Sequence, residues 1–276
     1  YQMASFNEIS IATLARLVGT PDCPTLLDLR IDQDFADDPH LVPGAYRYPF
    51  MNVSDLVDDL RGKPVIVYCQ KGLKISQGAA AILRTHGIQA DSLEGGQFAW
   101  RDAGHPMVLA RNLPPLDSAG RTVWVTRHRP KIDRIACPWL IRRFIDPKAQ
   151  FLFVAPSQVT NVAERFNATP FDIEDVFWTH RGDRCTFDTM IAAFGIENEA
   201  LARLAKIVRA ADTNNHGLAP EAAGLLAVSL GLSRMHRDDL AQLDAAMPVY
   251  DALYRWARDA TKEGHDWPAA AVKGKL

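Results

Sequence analysis

The pattern of apolar and polar positions changes period several times along the first hundred residues. NEISIATLARLV, residues 7–18, puts Ile9, Leu14 and Leu17 on one face of a helix. TLLDLR, residues 25–30, is a compact apolar run that reads as a buried strand. SDLVDDLRG, residues 54–62, reads as a short helix with Ser54 as its N-cap and Gly62 as its stop. PVIVYC, residues 64–69, is apolar without alternation, as strands are when both faces of a parallel sheet are covered. ISQGAAAILRTHG predicts a helix stopped by Gly87, and ADSLEGG and QFAWRDAG predict a further strand and helix. Strands alternating with helices predict an α/β layer with right-handed crossovers.

The pattern breaks at LARNLPPLDSAG, residues 109–120, where prolines, polar residues and a glycine predict a stiff connector. Beyond it, TVWVTR and QFLFVA predict strands, and helical patterns cover 199–212, 219–235 and 237–259. The expected organisation is an α/β domain over 1–108, a linker over 109–121, and a mixed α+β, mainly helical domain over 122–276.

Charge narrows the function. The chain has 276 residues, and its net charge of -2 argues against a dedicated nucleic-acid binder. No apolar run is long enough to span a membrane. The opening residues show no basic start followed by an apolar core. The four cysteines, Cys23, Cys69, Cys137 and Cys185, are widely spaced with no CxxC pair. A cytoplasmic protein with reduced thiols is expected.

Cys69 carries the clearest chemical signal. It ends a predicted parallel strand, and Gln70, Lys71, Gly72, Leu73 and Lys74 turn the chain into a helix. The carboxyl edge of such a sheet is where ligands bind. Loop amides and a helix N-terminus favour thiolate over thiol there, and Lys71 and Lys74 are expected to push the same way. The ordinary alternative is a buried structural cysteine.

Two further segments hold candidate chemistry. Between 127 and 143 lie Arg127, Arg129, Lys131, Arg134, Arg142 and Arg143, opposed in that stretch only by Asp133. They read either as a solvated basic face or as an anion site built from guanidinium forks. If a helix starts at Pro138, Cys137 is its N-cap and is activated. If it starts near Asp133, Cys137 is core. THRGDRCTFD, residues 179–188, places His180 before a turn, Cys185 and Asp188 after it, and Thr186 as a helix cap. ADTNNHG adds Asp212 and His216. These residue types suit zinc or iron, with His180 and Asp212 the candidate ligands, although the spacing matches no standard metal motif. A metal-free oxyanion pocket is the competing reading.

The first hundred residues resemble the rhodanese sulfurtransferases. LLDLR, with Asp28 and Arg30, is similar to that family's early strand-and-arginine motif. Asp34 and Phe35, then HLVPGA with one extra residue before Pro43, CQKGLK at 69–74 and LEGGQFAW at 93–100 follow in the family's order. The resemblance implies a nucleophilic Cys69, a substrate-binding loop over 70–74 joined by Asp28 and Arg30, and no cofactor for the sulfur step. Related phosphatase and arsenate-reductase loops would require Arg at 75, where Ile75 stands, so the loop suits sulfur rather than phosphate. The family usually has Arg where Lys74 stands, and a point charge replaces a fixed fork.

The remainder, about 122–260, resembles the chromate-resistance family of the ChrB type, through RPKIDRIACPWLIRRFIDP, THRGDRCTFD, VRAADT and PEAAGLLAVSLGLSR. Regulatory members of that family carry a different N-terminal region. The two resemblances together imply a thiosulfate-type sulfurtransferase that forms a persulfide on Cys69. Its acceptor is expected to be a small thiol or cyanide-like molecule, with Cys137 or Cys185 as acceptors inside the chain. The second domain is expected to bind chromate, sulfate or a metal. The alternative is a non-catalytic oxyanion sensor that uses the arginines and not Cys69.

Overall fold

A computed structural model describes residues 7–264. Its first unit is built on five parallel strands. In chain order come β1 (Glu8–Ile9), α1 (Ile11–Leu17), β2 (Thr25–Asp28), α2 (Asp32–Asp37), β3 (His40–Leu41), β4 (Ala45–Arg47), α3 (Val57–Leu60), β5 (Val65–Tyr68), α4 (Lys74–Thr85), β6 (Ala90–Leu93), α5 (Gly96–Asp102) and β7 (Val108–Leu109). The sheet order is β1-β6-β5-β2-β4, and every pairing in it is parallel. β5 is buried throughout and central, as its unbroken apolar run requires. Leu27, Val65 and Val67 pack with α4 and the 50–60 segment on one face, while Leu26, Ile66 and Tyr68 pack with Leu14 and Trp100 on the other.

Two local assignments differ from the sequence reading. Ile9 belongs to a strand paired with β6, because Ser10 caps α1 by accepting from the Thr13 amide. Ser54 lies inside a helical stretch, a 3-10 turn over Phe50–Leu56 that continues into α3, so it does not cap it. Pro49 supplies the extended residue before that turn.

The second unit contains β8 (Val123–Arg127), α6 (Asp133–Leu140), β9 (Gln150–Val154), α7 (Val159–Phe166), β10 (Thr169–Pro170), α8 (Thr186–Phe194), α9 (Glu199–Asp212), α10 (Ala222–Met235) and α11 (Asp239–Asp259). Its sheet, β10-β8-β9, is also parallel. β8 sends Val125 to the α7 side and Trp124 into the large helical core with Trp139, Phe151 and Phe187. This period of two divides the layers. α6 starts at Asp133 and contains Pro138, which removes one helical N–H donor, and then opens into a π-helical turn over Ile141–Ile145. Cys137 is therefore inside the helix and completely buried, which selects the core reading of the two that the sequence leaves open and excludes the activated N-cap. FWTH forms only an isolated bridge at Trp178.

The connector is ordered. β7 pairs with β3 antiparallel, Asn112 donates to the Ala193 carbonyl, and Arg121 folds back on Asp117. Leu41 and Val108 enter the core of the second unit. The Gly44 amide donates to the Phe144 carbonyl at 2.6 Å, and the Phe144 ring lies against Gly19. The two units thus pack directly on each other. Among the described residues no helix is long and apolar enough to cross a membrane.

Candidate functional site

Cys69 follows the last residue of β5 and is 5% exposed. Its Sγ lies 3.3 Å from Ser76 Oγ, and Ser76 Oγ lies 3.2 Å from the Leu73 carbonyl. Burial works against the thiolate. The Ser76 hydroxyl and the amides of Ser76, Lys71 and Leu73 outweigh it and hold the thiol below its ordinary range. Ser76 has one hydroxyl proton, so a charged sulfur takes the donation that the Leu73 carbonyl otherwise receives. α4 begins at Lys74 and aims its positive end at the same loop.

The loop is held from behind. The Cys69 and Gln70 carbonyls accept from the Gln97 and Phe98 amides, both at 3.0 Å. With those carbonyls turned toward α5, the loop amides turn inward. Gly72 has φ +69, and a Cβ on it would meet the Leu93 carbonyl oxygen at 2.5 Å and the Gly96 nitrogen at 2.6 Å. Gly96 of LEGGQFAW allows this approach, because a Cβ on it would meet the Cys69 carbonyl oxygen and the Gly72 nitrogen. Lys71, Leu73 and Lys74 point to solvent. The lysine charges are not among the leading causes of the lowered thiol, which corrects the weight given to them from sequence.

Asp28 and Arg30 do not stand in the loop. They form a fully buried pair at 2.5 Å. Arg30 also donates to the Asp38 and His40 carbonyls at 2.8 and 2.6 Å. Tyr68, beside Cys69, donates into this network and anchors the Val42 amide through its oxygen at 3.2 Å. The pair is a brace for the strand ends and for the HLVPGA turn.

The second unit brings together residues that are far apart in sequence. His180 Nε2 lies 3.2 Å from Asp212 Oδ2, 3.4 Å from Asp133 Oδ2 and 3.5 Å from Asp172 Oδ1. Asp133 is the first residue of α6, Asp212 the last of α9, and Asp172 follows β10. Asp133 is 1% exposed and accepts from the Thr186 amide at 2.6 Å. Burial and the neighbouring carboxylates raise it to about 6, against the His180 hydrogen bond. The Asp133, Asp172 and Asp212 carboxylates, which accept from the imidazole, push His180 up to about 12. The expected pairing of His180 with Asp212 is present, while His216 turns to Asn214 instead.

The basic stretch does not converge on an open anion site. Arg127 and Arg134 meet at Asp172, at 3.1 and 3.3 Å. Arg129 binds the Asp239 carboxylate through its amide and the carbonyls of Ser233 and His236 through its guanidinium. Arg142 pairs with Asp244 and Arg143 with Asp251. Lys131 is exposed.

Cys137 and Cys185 are also corrected. Both thiols are fully buried, and burial drives both well above their ordinary range. Neither is placed to accept sulfur. Cys185, not Thr186, caps α8, in a box with Asp188. Sequence reasoning missed Ser76, Asp133 and Asp172 as site residues. Ser76 sits in the first turn of α4, where side chains lean back toward the preceding loop, and that signal was available. Asp133, a lone acid among arginines, carried a weaker one.

Comparison with known proteins follows this division. Residues 10–103 match the rhodanese-like domain, and 124–257 match the C-terminal domain of ChrB. Protein ChrB of Cupriavidus metallidurans is 35% identical over 192 residues, 64% of this chain and 57% of that protein. The chain thus spans little more than half the length of that relative. A sulfurtransferase of Allochromatium vinosum is 24% identical over 103 residues, 37% of this chain and 94% of that one. A crystal structure of a rhodanese-related protein from Thermoplasma volcanium aligns with 25% identity and a TM-score of 0.33, over 38% of this chain and 99% of that one.

Proposed function

We propose, for a chain that joins a rhodanese-like domain to a ChrB C-terminal domain, that the first domain is a sulfurtransferase working through a persulfide on Cys69. One observation carries the reading. The Cys69 sulfur ends a central parallel strand and faces the Ser76 hydroxyl and the amides of Lys71, Leu73 and Ser76. Such a cradle stabilises a thiolate before attack and an anionic terminal sulfur after it.

The chemistry balances without a cofactor. The Cys69 thiolate attacks the outer sulfur of thiosulfate, and a new S–S bond forms. The bond between that sulfur and the sulfonate breaks, and its electron pair leaves with sulfite. A thiolate or cyanide then takes the outer sulfur, and the Cys69 thiolate returns. Lys71 and Lys74, exposed at the loop, attract the dianionic donor without touching the reacting sulfur. Four unpaired cysteines suit a reducing compartment, and we place the protein in the cytoplasm. The oxyanion-sensor reading has less support, because its arginines are engaged by carboxylates and carbonyls.

Thiocyanate production from thiosulfate and cyanide tests the proposal. The wild-type protein is expected to turn over and Cys69→Ser to fall to background. Equal rates in the two proteins would refute the role of Cys69.

A further inference from the structure

We infer that the second domain holds a divalent first-row metal ion between Asp133, His180 and Asp212, a site separate from Cys69. One donor atom from each lies within 4.8 Å of the other two. His180 Nε2 lies 3.2 Å from Asp212 Oδ2 and 3.4 Å from Asp133 Oδ2, the separation of neighbouring ligands on one ion with bonds of about 2.0–2.2 Å to oxygen and nitrogen.

The placement comes from four separate parts of the chain. Asp133 opens α6 just after β8, His180 lies in the loop before α8, and Asp212 ends α9. Asp172, which follows β10, stands behind His180. The site therefore lies at the carboxyl edge of the parallel sheet, the general location of ligand sites in such folds. The turn that delivers Asp133 is fixed from the far side. Gln242 donates to the Pro130 carbonyl at 2.6 Å, and Tyr250 donates to the Ile132 carbonyl at 3.1 Å.

Local satisfaction separates this group from an ordinary acidic surface cluster. Asp133 is buried, with Oδ2 on the Thr186 amide at 2.6 Å and Oδ1 on the Phe187 amide at 3.4 Å, and the same Oδ2 faces His180. Asp172 is held by Thr186 Oγ1, Arg127 and Arg134. Asp212 has His180 as its one partner among the described residues. His180 Nε2 carries a single proton, and that proton faces three carboxylates. It cannot donate well to all of them. A cation in place of the proton bonds to Nε2 and to both flanking carboxylates at once. The end of α9 favours the same exchange, because a helix C-terminus attracts positive charge and Asp212 adds a carboxylate to it.

The donors also select the metal. The Cys185 thiol lies against Asp133, but its sulfur also bonds to Asp188 at 3.3 Å and is not among the converging donor atoms. Two carboxylates and one imidazole, with no thiolate, suit a divalent ion such as Mn2+ or Fe2+ and exclude a soft ion such as Cu(I). His180 is 42% exposed on its side chain and Asp212 20%, so water or an anionic ligand reaches the open side. Asp172 is then a positioning residue, fixed by its two arginines.

The test uses the whole chain, stripped with chelator and titrated with Mn2+ while free Mn2+ is followed by electron paramagnetic resonance. One equivalent is expected to bind, and the thermal transition is expected to rise with it. His180→Gln and Asp212→Asn, both at partly exposed positions, are expected to weaken binding at least tenfold. Asp172→Asn is expected to weaken it less. Cys69→Ser is expected to bind as wild type does, so failure of the sulfurtransferase reading leaves this result standing. No saturable binding at millimolar Mn2+, or equal binding in wild type, His180→Gln and Asp212→Asn, would overturn the inference.

Discussion

The sulfur of Cys69 and the hydroxyl oxygen of Ser76 lie 3.3 Å apart, one ending the central strand region and the other in the first turn of the following helix. This hydrogen bond and the amides of Lys71, Leu73 and Ser76 overcome the penalty of burying a thiolate. The pH consequence follows in sign. A thiol held below its ordinary value, about 8.5, keeps its nucleophilic form at lower pH. The acid limb of the rate profile is therefore expected below that value. Ser76→Ala removes a hydrogen bond to a charged group, about 1.5 kcal/mol or more. It is expected to move the limb up by about one pH unit. An unchanged profile would remove Ser76 from the mechanism.

Gly72 is the position where the loop tolerates least. Alanine there adopts a left-handed conformation that costs about 1–3 kcal/mol and drives a methyl group into Leu93 and Gly96. Gly72→Ala is expected to lose activity and to unfold at lower urea. Gly78, whose added Cβ meets nothing, is the matched control, and Gly78→Ala should be neutral or slightly stabilising.

Lys74 is exposed and begins α4. Lys74→Ala should leave stability within about 0.5 kcal/mol. It should raise the KM for thiosulfate about fivefold, the equivalent of ~1 kcal/mol of lost attraction. Lys74→Arg should recover or improve the KM, because a planar fork engages an oxyanion better than a point charge. Steady-state kinetics at low and high salt separates charge from fold.

Asp28 and Arg30 are expected to act through stability. Asp28→Asn leaves a buried guanidinium without its counter-charge, at a cost of about 3–5 kcal/mol. Urea unfolding measures this directly. Kinetics on the fraction that remains folded should show a nearly unchanged KM, since Arg30 is engaged by Asp28 and by the Asp38 and His40 carbonyls.

The first domain was legible because its signals are local. An unbroken apolar run forms a central strand, the residues after it form a turn and a helix, and Gly95–Gly96 follows at the next strand end. Nearest-neighbour pattern places Cys69 without any long-range knowledge. The second domain was less legible because its site is assembled by tertiary packing. Asp133, Asp172, His180 and Asp212 share no spacing that a motif captures. His180 and Asp212 were visible as residue types, and Asp133 was hidden among arginines. The arginines read as an anion site because their carboxylate partners, Asp172, Asp239, Asp244 and Asp251, lie far along the chain. The sequence does not decide between cap and core for Cys137, since a proline marks a helix start in one context and an interior distortion in another. Burial in the helical core settles it.

Intact mass measured under denaturing conditions, after incubation with thiosulfate, tests the central claim most directly. The proposal requires a single-sulfur adduct on the wild-type chain, released by cyanide and absent from Cys69→Ser. An unmodified wild-type chain, or the same adduct on Cys69→Ser, would contradict it.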